Sequence, residues 1–111
     1  MTISTDQIED NITRVLLDGR LDIEGAAVID LRMNVIAGSA KNLLVDLQNV
    51  SFLGSMGLRS ILVPAQVVRR RGGKVALLSP APMVEAVLKA SNIDQVIPIF
   101  HERDAAVASL Q

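Results

Sequence analysis

The chain has 111 residues, half of them apolar, and a formal net charge of −1 from 11 Lys and Arg against 12 Asp and Glu. That length suits one hydrophobic core, since domains commonly hold about 100 to 150 residues, so residues 1–111 are expected to form a single domain. Near-neutral charge and only two aromatic residues, Phe52 and Phe100, argue against nucleic acid as a partner, which needs a broad basic surface or stacking platforms; the absence of cysteine excludes disulfides, thiolate metal sites and cysteine nucleophiles.

Thr2 to Leu17 alternates loosely, with Ile3, Ile8, Ile12, Val15 and Leu17 as apolar points and Glu9-Asp10-Asn11 as a turn-prone break. This predicts two short strands. Gly19-Arg20-Leu21-Asp22 ends the strand region, and Asp22 is placed to cap a helix whose apolar positions include Ala27, Val28, Leu31 and Val35. That helix is expected to stop at Gly38-Ser39. Asn42 to Leu47 is a compact apolar run with Asp46 near its end, the pattern of a strand buried on both faces of a mostly parallel sheet. A short polar loop follows, and Ser55 stands where the next helix should begin.

On the Ser55 helix, Leu58, Ile61, Leu62, Ala65 and Val68 recur at helical spacing, and Arg69-Arg70-Arg71 with Gly72-Gly73 mark its C-terminal end. Pro64 should kink it, at about 3 kcal/mol if nothing compensates, because it cannot donate to the Ser60 carbonyl. Lys74 to Leu78 reads as a strand. Ser79-Pro80-Ala81-Pro82 leads into a helix with Met83, Val87 and Leu88 on one side, a Glu85/Lys89 pair four residues apart, and Asn92 at its end. Val96 to Phe100 predicts a last strand and Arg103 to Leu110 a terminal helix. The expected fold class is α/β: a mixed sheet with an N-terminal strand pair, otherwise mostly parallel, packed with about four helices.

In open α/β sheets functional groups gather beyond the carboxyl ends of the strands, and Asp18, Asp22, Asp46 and Ser55 all follow predicted strand ends. They are expected to share one surface. A hydroxyl at a helix N-terminus has two uses. It can cap the helix, or it can accept a phosphate, whose charge the unpaired N–H groups of the first turn stabilise. Asp22 and Asp46 divide between a helix cap or loop-fixing acceptor and a partner contact, and Gly57 between a close backbone approach and a partner contact. Met56, Leu58 and Arg59 offer a docking face, although Leu58 also fits the core. The triple arginine suits the negative end of its helix.

No enzyme reading gains support. A serine nucleophile needs a base in reach, a metal hydrolase needs several clustered ligands, and Gly54-Ser55-Met56-Gly57 lacks the lysine and spacing of a phosphate-binding loop. No cofactor and no metal are expected. No apolar run approaches the roughly 20 residues needed to cross a bilayer, and the N-terminus is polar and acidic. A cytoplasmic location without direct membrane insertion is the expectation.

Three marks in this order resemble the STAS domain family of bacterial anti-sigma factor antagonists: Gly19-Arg20-Leu21-Asp22, then Val45-Asp46-Leu47 leading to Val50-Ser51-Phe52-Leu53, then Ser55-Met56-Gly57-Leu58 opening a helix. Gly72-Gly73-Lys74-Val75, Ser79-Pro80 and Ala90-Ser91-Asn92-Ile93 extend the likeness over nearly the whole chain. The resemblance implies a partner-switching protein that binds an anti-sigma factor acting also as a serine kinase of GHKL type, with a PP2C-type phosphatase reversing the modification. It implies Ser55 as the acceptor, and Asp22, Asp46, Gly54, Met56, Gly57, Leu58 and Arg59 around the partner-binding surface. The family pattern Asp-Ser-Ser-Gly-Leu here reads Gly54-Ser55-Met56-Gly57-Leu58, so Met56 occupies the usual acceptor position and Gly54 that of the aspartate. The alternative reading is a non-phosphorylated STAS subunit of an ABC-type lipid transporter or a larger signalling assembly.

Overall fold

A computed structural model describes residues 1–111. The elements run β1 (Thr2–Glu9), β2 (Ile12–Leu21), α1 (Ile23–Ser39), β3 (Asn42–Leu53), α2 (Ser55–Arg70), β4 (Val75–Leu78), α3 (Pro82–Ala90), a 3₁₀ turn (Ile93–Gln95), β5 (Ile99–Phe100) and α4 (Arg103–Ser109). The sheet order is β1-β2-β3-β4-β5, with β1 antiparallel to β2 and every later pair parallel. This is the expected mixed α/β architecture with four helices. No helix is long and apolar enough to cross a membrane.

Each parallel connection carries a helix, and the first three helices share a large core with the sheet, built around Leu17, Ile29, Met33, Val45, Ile61 and Leu77. A smaller core of Ile12, Leu44, Ala76, Leu78, Ala106 and Leu110 lies under α4. Two register shifts shape β2 and β3. Leu16 pairs with Asp46 but Asp18 with Asn49, and Gly19 pairs with Val50 but Arg20 with Phe52. Each shift inserts one residue into β3, and an inserted residue reverses which face the following side chains take. Val50 and Leu53 therefore join the core together with Leu43, Val45 and Leu47. Gly19, at φ +122°, sits at the second shift, a conformation that side chains disfavour.

Several expectations change. The strands of the N-terminal pair are longer than predicted, and β2 runs to Leu21, so the Gly19-Arg20-Leu21 segment belongs to the strand. On α1 the core face is Gly25, Ala26, Ile29, Met33 and Ala37, whereas Val28, Leu31 and Val35 are exposed. Apolar residues on both faces cancel the periodic signal that would have oriented this helix. Met83 is likewise exposed, and Val84 with Leu88 forms the buried side of α3. The last strand shrinks to Ile99–Phe100, because Ile93 and Ile97 are buried around the 3₁₀ turn.

Pro64 does not end α2, which continues to Arg70. Buried Ser60, whose carbonyl loses its usual donor to the proline, turns its hydroxyl to Asp30 Oδ1 on α1 at 2.5 Å, with the Met56 carbonyl 3.0 Å away. At the C-terminus Gly72 adopts φ +85° and Gly73 N–H donates to the Val68 carbonyl at 3.0 Å, closing the helix as expected.

Candidate functional site

β2 and β3 run parallel and finish side by side, with Leu21 paired to Leu53. The chain leaves both strands at one edge and turns directly into two helices. Asp22 caps the first: its Oδ1 accepts from Gly25 N–H at 2.8 Å, as predicted, and its Oδ2 lies 3.5 Å from Arg20 Nε. That amide, and secondarily the Arg20 charge, holds the Asp22 carboxyl below its ordinary value.

Gly54 caps the second helix without a side chain, and its N–H donates to the Leu21 carbonyl at 3.0 Å. Ser55 is therefore the first helical residue rather than the N-cap. A serine one residue past the cap has helical backbone angles, and its oxygen makes no capping bond. Its side chain stands exposed at the end of α2. The first hydrogen bond of the helix joins Leu58 N–H to the Gly54 carbonyl at 2.9 Å, so the N–H groups of Ser55, Met56 and Gly57 precede it at the positive end of the dipole. The first turn of α2 has no acidic residue to offset that charge. An anion on the Ser55 oxygen meets favourable electrostatics there.

Gly57 is the closure point of this edge. A methyl group on it would overlap the Leu21 carbonyl oxygen and approach Leu21 Cγ to 2.5 Å, so only glycine lets the first turn of α2 rest on the end of β2. Gly25 does the same for α1 against the Arg20 carbonyl. Met56 and Arg59 are exposed beside Ser55, while Leu58 is half-buried and packs on the core.

Asp46 and Asp18 lie apart from this group. β3 continues seven residues beyond Asp46, roughly 20 Å of strand, before reaching the Ser55 turn. Asp46 Oδ1 accepts from Gln48 N–H at 3.0 Å, inside the first register shift, which is the loop-fixing role of a short carboxylate. Asp18 sits within β2, paired with Thr2 and Asn49. The expected single surface thus holds Asp22 with residues 54–59, without Asp18 or Asp46. Two neighbours went unpredicted. Arg20 stacks over the Phe52 ring, 4.5 Å from its centroid, beside Gly54, whose added methyl would touch that ring. A lone aromatic just before the glycine was the only hint in the sequence. No group of three or more metal-ligating side chains is assembled anywhere in the chain.

Comparison with known proteins gives concordant results. The sequence model of the STAS domain family matches residues 2–106. The anti-sigma F factor antagonist of Paenibacillus polymyxa is 25% identical over 99 residues, covering 87% of this chain and 85% of that protein. In fold, the chain is similar to an anti-sigma-factor antagonist (STAS) domain protein from Planctomyces limnophilus, with a TM-score of 0.87 at 23% identity over 98% of this chain and 97% of that one. It is also similar to the Bacillus cell fate determinant SpoIIAA in its phosphorylated form, with a TM-score of 0.76 at 17% identity over 99% of this chain and 100% of that one.

Proposed function

This chain belongs to the STAS domain family, and from that premise we propose that it is an anti-sigma factor antagonist switched by reversible phosphorylation of Ser55. In this reading the unmodified chain captures a GHKL-type anti-sigma factor that also acts as its serine kinase, and a PP2C-type phosphatase restores the captured state. Exposed Met56 and Arg59 supply the docking surface, with Gly54, half-buried Leu58 and the capped Asp22 along the rim, while buried Gly57 seats the turn that presents them. The protein works by binding rather than by turnover, and it acts in the cytoplasm.

The observation that carries the proposal is the exposed, uncapping hydroxyl of Ser55 at the end of a helix with no acidic residue in its first turn. A phosphate there adds about two negative charges. The helix end stabilises them, yet the same charges oppose close packing of a partner against Met56 and Arg59. Docking is then lost without refolding the domain. The relative from Paenibacillus polymyxa, named as an anti-sigma F factor antagonist, supports the role, and the phosphorylated form of SpoIIAA supports the modification.

The test compares three chains for binding to the GHKL-type anti-sigma factors of the same genome: unmodified, Ser55→Ala, and the chain carrying phosphoserine at 55. Unmodified protein and Ser55→Ala should bind alike, and phosphoserine should weaken binding at least tenfold. Equal binding by all three would refute the switch. Met56, in the usual acceptor position, favours a second reading, a constitutively docked subunit of a transporter or signalling assembly. Under it Ser55→Ala leaves function intact, while bulky changes at Met56 or Arg59 break assembly.

A further inference from the structure

Ser55 and Arg59 lie four residues apart on α2. Residues at that spacing are neighbours on one face of a helix, with about 5 to 6 Å between their Cβ atoms. Both are exposed, with Met56 and Val63 on the same outward side. Helical side chains lean toward the N-terminus, so the long Arg59 side chain reaches back over the turn that carries Ser55. Arg59 makes no ion pair. The other charges on the elements packed against this turn are committed or of the wrong sign. At the end of β2, Arg20 Nε lies 3.5 Å from Asp22 Oδ2, and its guanidinium stacks on Phe52. On α1, Asp30 lines a groove together with Arg59 but accepts from the Ser60 hydroxyl, and Glu24 in the first turn carries negative charge. Arg59 is thus the one cation beside the Ser55 turn that no carboxylate holds.

We propose that Arg59 is the phosphate-receiving residue of the switch: once Ser55 is phosphorylated, the Arg59 guanidinium folds back along α2 and donates to the phosphate oxygens. The pairing rests on the reading of Ser55 as the acceptor, and it adds what becomes of the docking surface after modification. An anion four residues before a cation is the favoured order on a helix, and a planar guanidinium matches phosphate oxygens two at a time. One modification then withdraws two features from a partner. The hydroxyl becomes a dianion, and Arg59, which in the unmodified chain stands open beside Met56 to an acidic group of the partner, is turned onto the chain's own phosphate. Arg59 therefore acts as a positioning residue for the phosphate, in addition to its place on the docking surface.

The test uses the full chain with phosphoserine installed at position 55 during translation, in wild-type, Arg59→Gln, Arg59→Lys and Arg20→Gln backgrounds. Phosphorus NMR follows the second ionisation of the phosphate. A neighbouring cation favours the dianion and lowers that ionisation from its ordinary value of about 6. Arg59→Gln should raise it by about 0.3 pH unit, the size carried by an exposed pair at this spacing. Arg59→Lys should keep most of the lowering, and Arg20→Gln should change it less than half as much as Arg59→Gln. The Arg59 Nε–H resonance should move with the same midpoint, and it should stay fixed over that range when Ser55 is unmodified. Identical titrations in the wild-type and Arg59→Gln chains, an equal or larger rise in Arg20→Gln, or an Arg59 resonance indifferent to the phosphate would each overturn the proposal. Because the phosphate is installed, the titration needs no kinase. An unshifted titration would defeat the Arg59 pairing alone, whereas kinases that leave Ser55 unmodified while the installed phosphate still titrates low would defeat the Ser55 reading and, with it, the role of Arg59 in a switch.

Discussion

Replacing Gly57 by alanine tests the packing that presents Ser55. The added methyl would overlap the Leu21 carbonyl oxygen and crowd Leu21 Cγ at 2.5 Å, and backbone cannot yield as a side-chain tip can. The first turn of α2 must lift from the end of β2. Overpacking of this kind costs about 1 to 3 kcal/mol. Lifting also strains the 3.0 Å hydrogen bond from Gly54 N–H to the Leu21 carbonyl, worth about 1 kcal/mol. Alanine returns about 1 kcal/mol through its helix propensity. The net loss is about 2 kcal/mol, which lowers the melting temperature by about 8 to 12 °C and the urea midpoint by about 1 M. Gly38→Ala is the control: a methyl there meets nothing within 4 Å, so it should leave stability unchanged or raise it slightly. Urea titration followed by circular dichroism measures both variants. If Gly57→Ala proved as stable as the parent, Gly57 would not be a packing residue and the docked geometry of the turn would be wrong.

Acid stability should follow three carboxylates. Asp6 is held below its ordinary value chiefly by its hydrogen bond from Arg14, Asp22 by Gly25 N–H, and Glu85 by His101 and then Lys89. A depressed folded-state value means that the stabilisation is fully present above the unfolded value, about 4, and is lost as pH falls through the folded value. The urea midpoint should therefore be level just above pH 5 and decline below about pH 4. Asn is also a good N-cap, so Asp22→Asn should keep most of the stability at neutral pH while flattening part of that acid decline; an unchanged acid limb would contradict the assignment. The α1–α2 tether is tested by a double-mutant cycle of Ser60→Ala and Asp30→Ala, with an expected coupling of about 1 kcal/mol in urea titration. Strict additivity would show the contact to be energetically silent.

Much of the architecture was legible because local chemistry and tertiary structure agree. Asp22 caps α1, Gly72-Gly73 closes α2, and the Asn42 to Leu47 run is buried as a parallel strand should be. The failures have physical sources. Residues inserted into β3 near Gln48 and at Ser51 carry the strand on to Leu53, so Asp46, read as a strand end, lies in mid-strand. Nothing local in Gln48-Asn49 announces a bulge. The orientation of α1 was hidden because its apolar residues serve two faces, one buried and one exposed. α2 does begin at Ser55 as read, but its cap lies one residue earlier, on Gly54, whose N–H is held by the Leu21 carbonyl. The same displacement leaves the Ser55 hydroxyl unengaged as a cap, a difference that sequence propensity does not reveal.

The most direct measurement is site mapping of the phosphorylated chain. Incubated with ATP and each GHKL-type kinase of its own genome, the protein should gain one phosphate from the cognate enzyme, and tandem mass spectrometry should locate it on Ser55, with none added to Ser55→Ala. A phosphate on Ser51, Ser60 or any other residue, or an unmodified chain with every such kinase, would contradict the account.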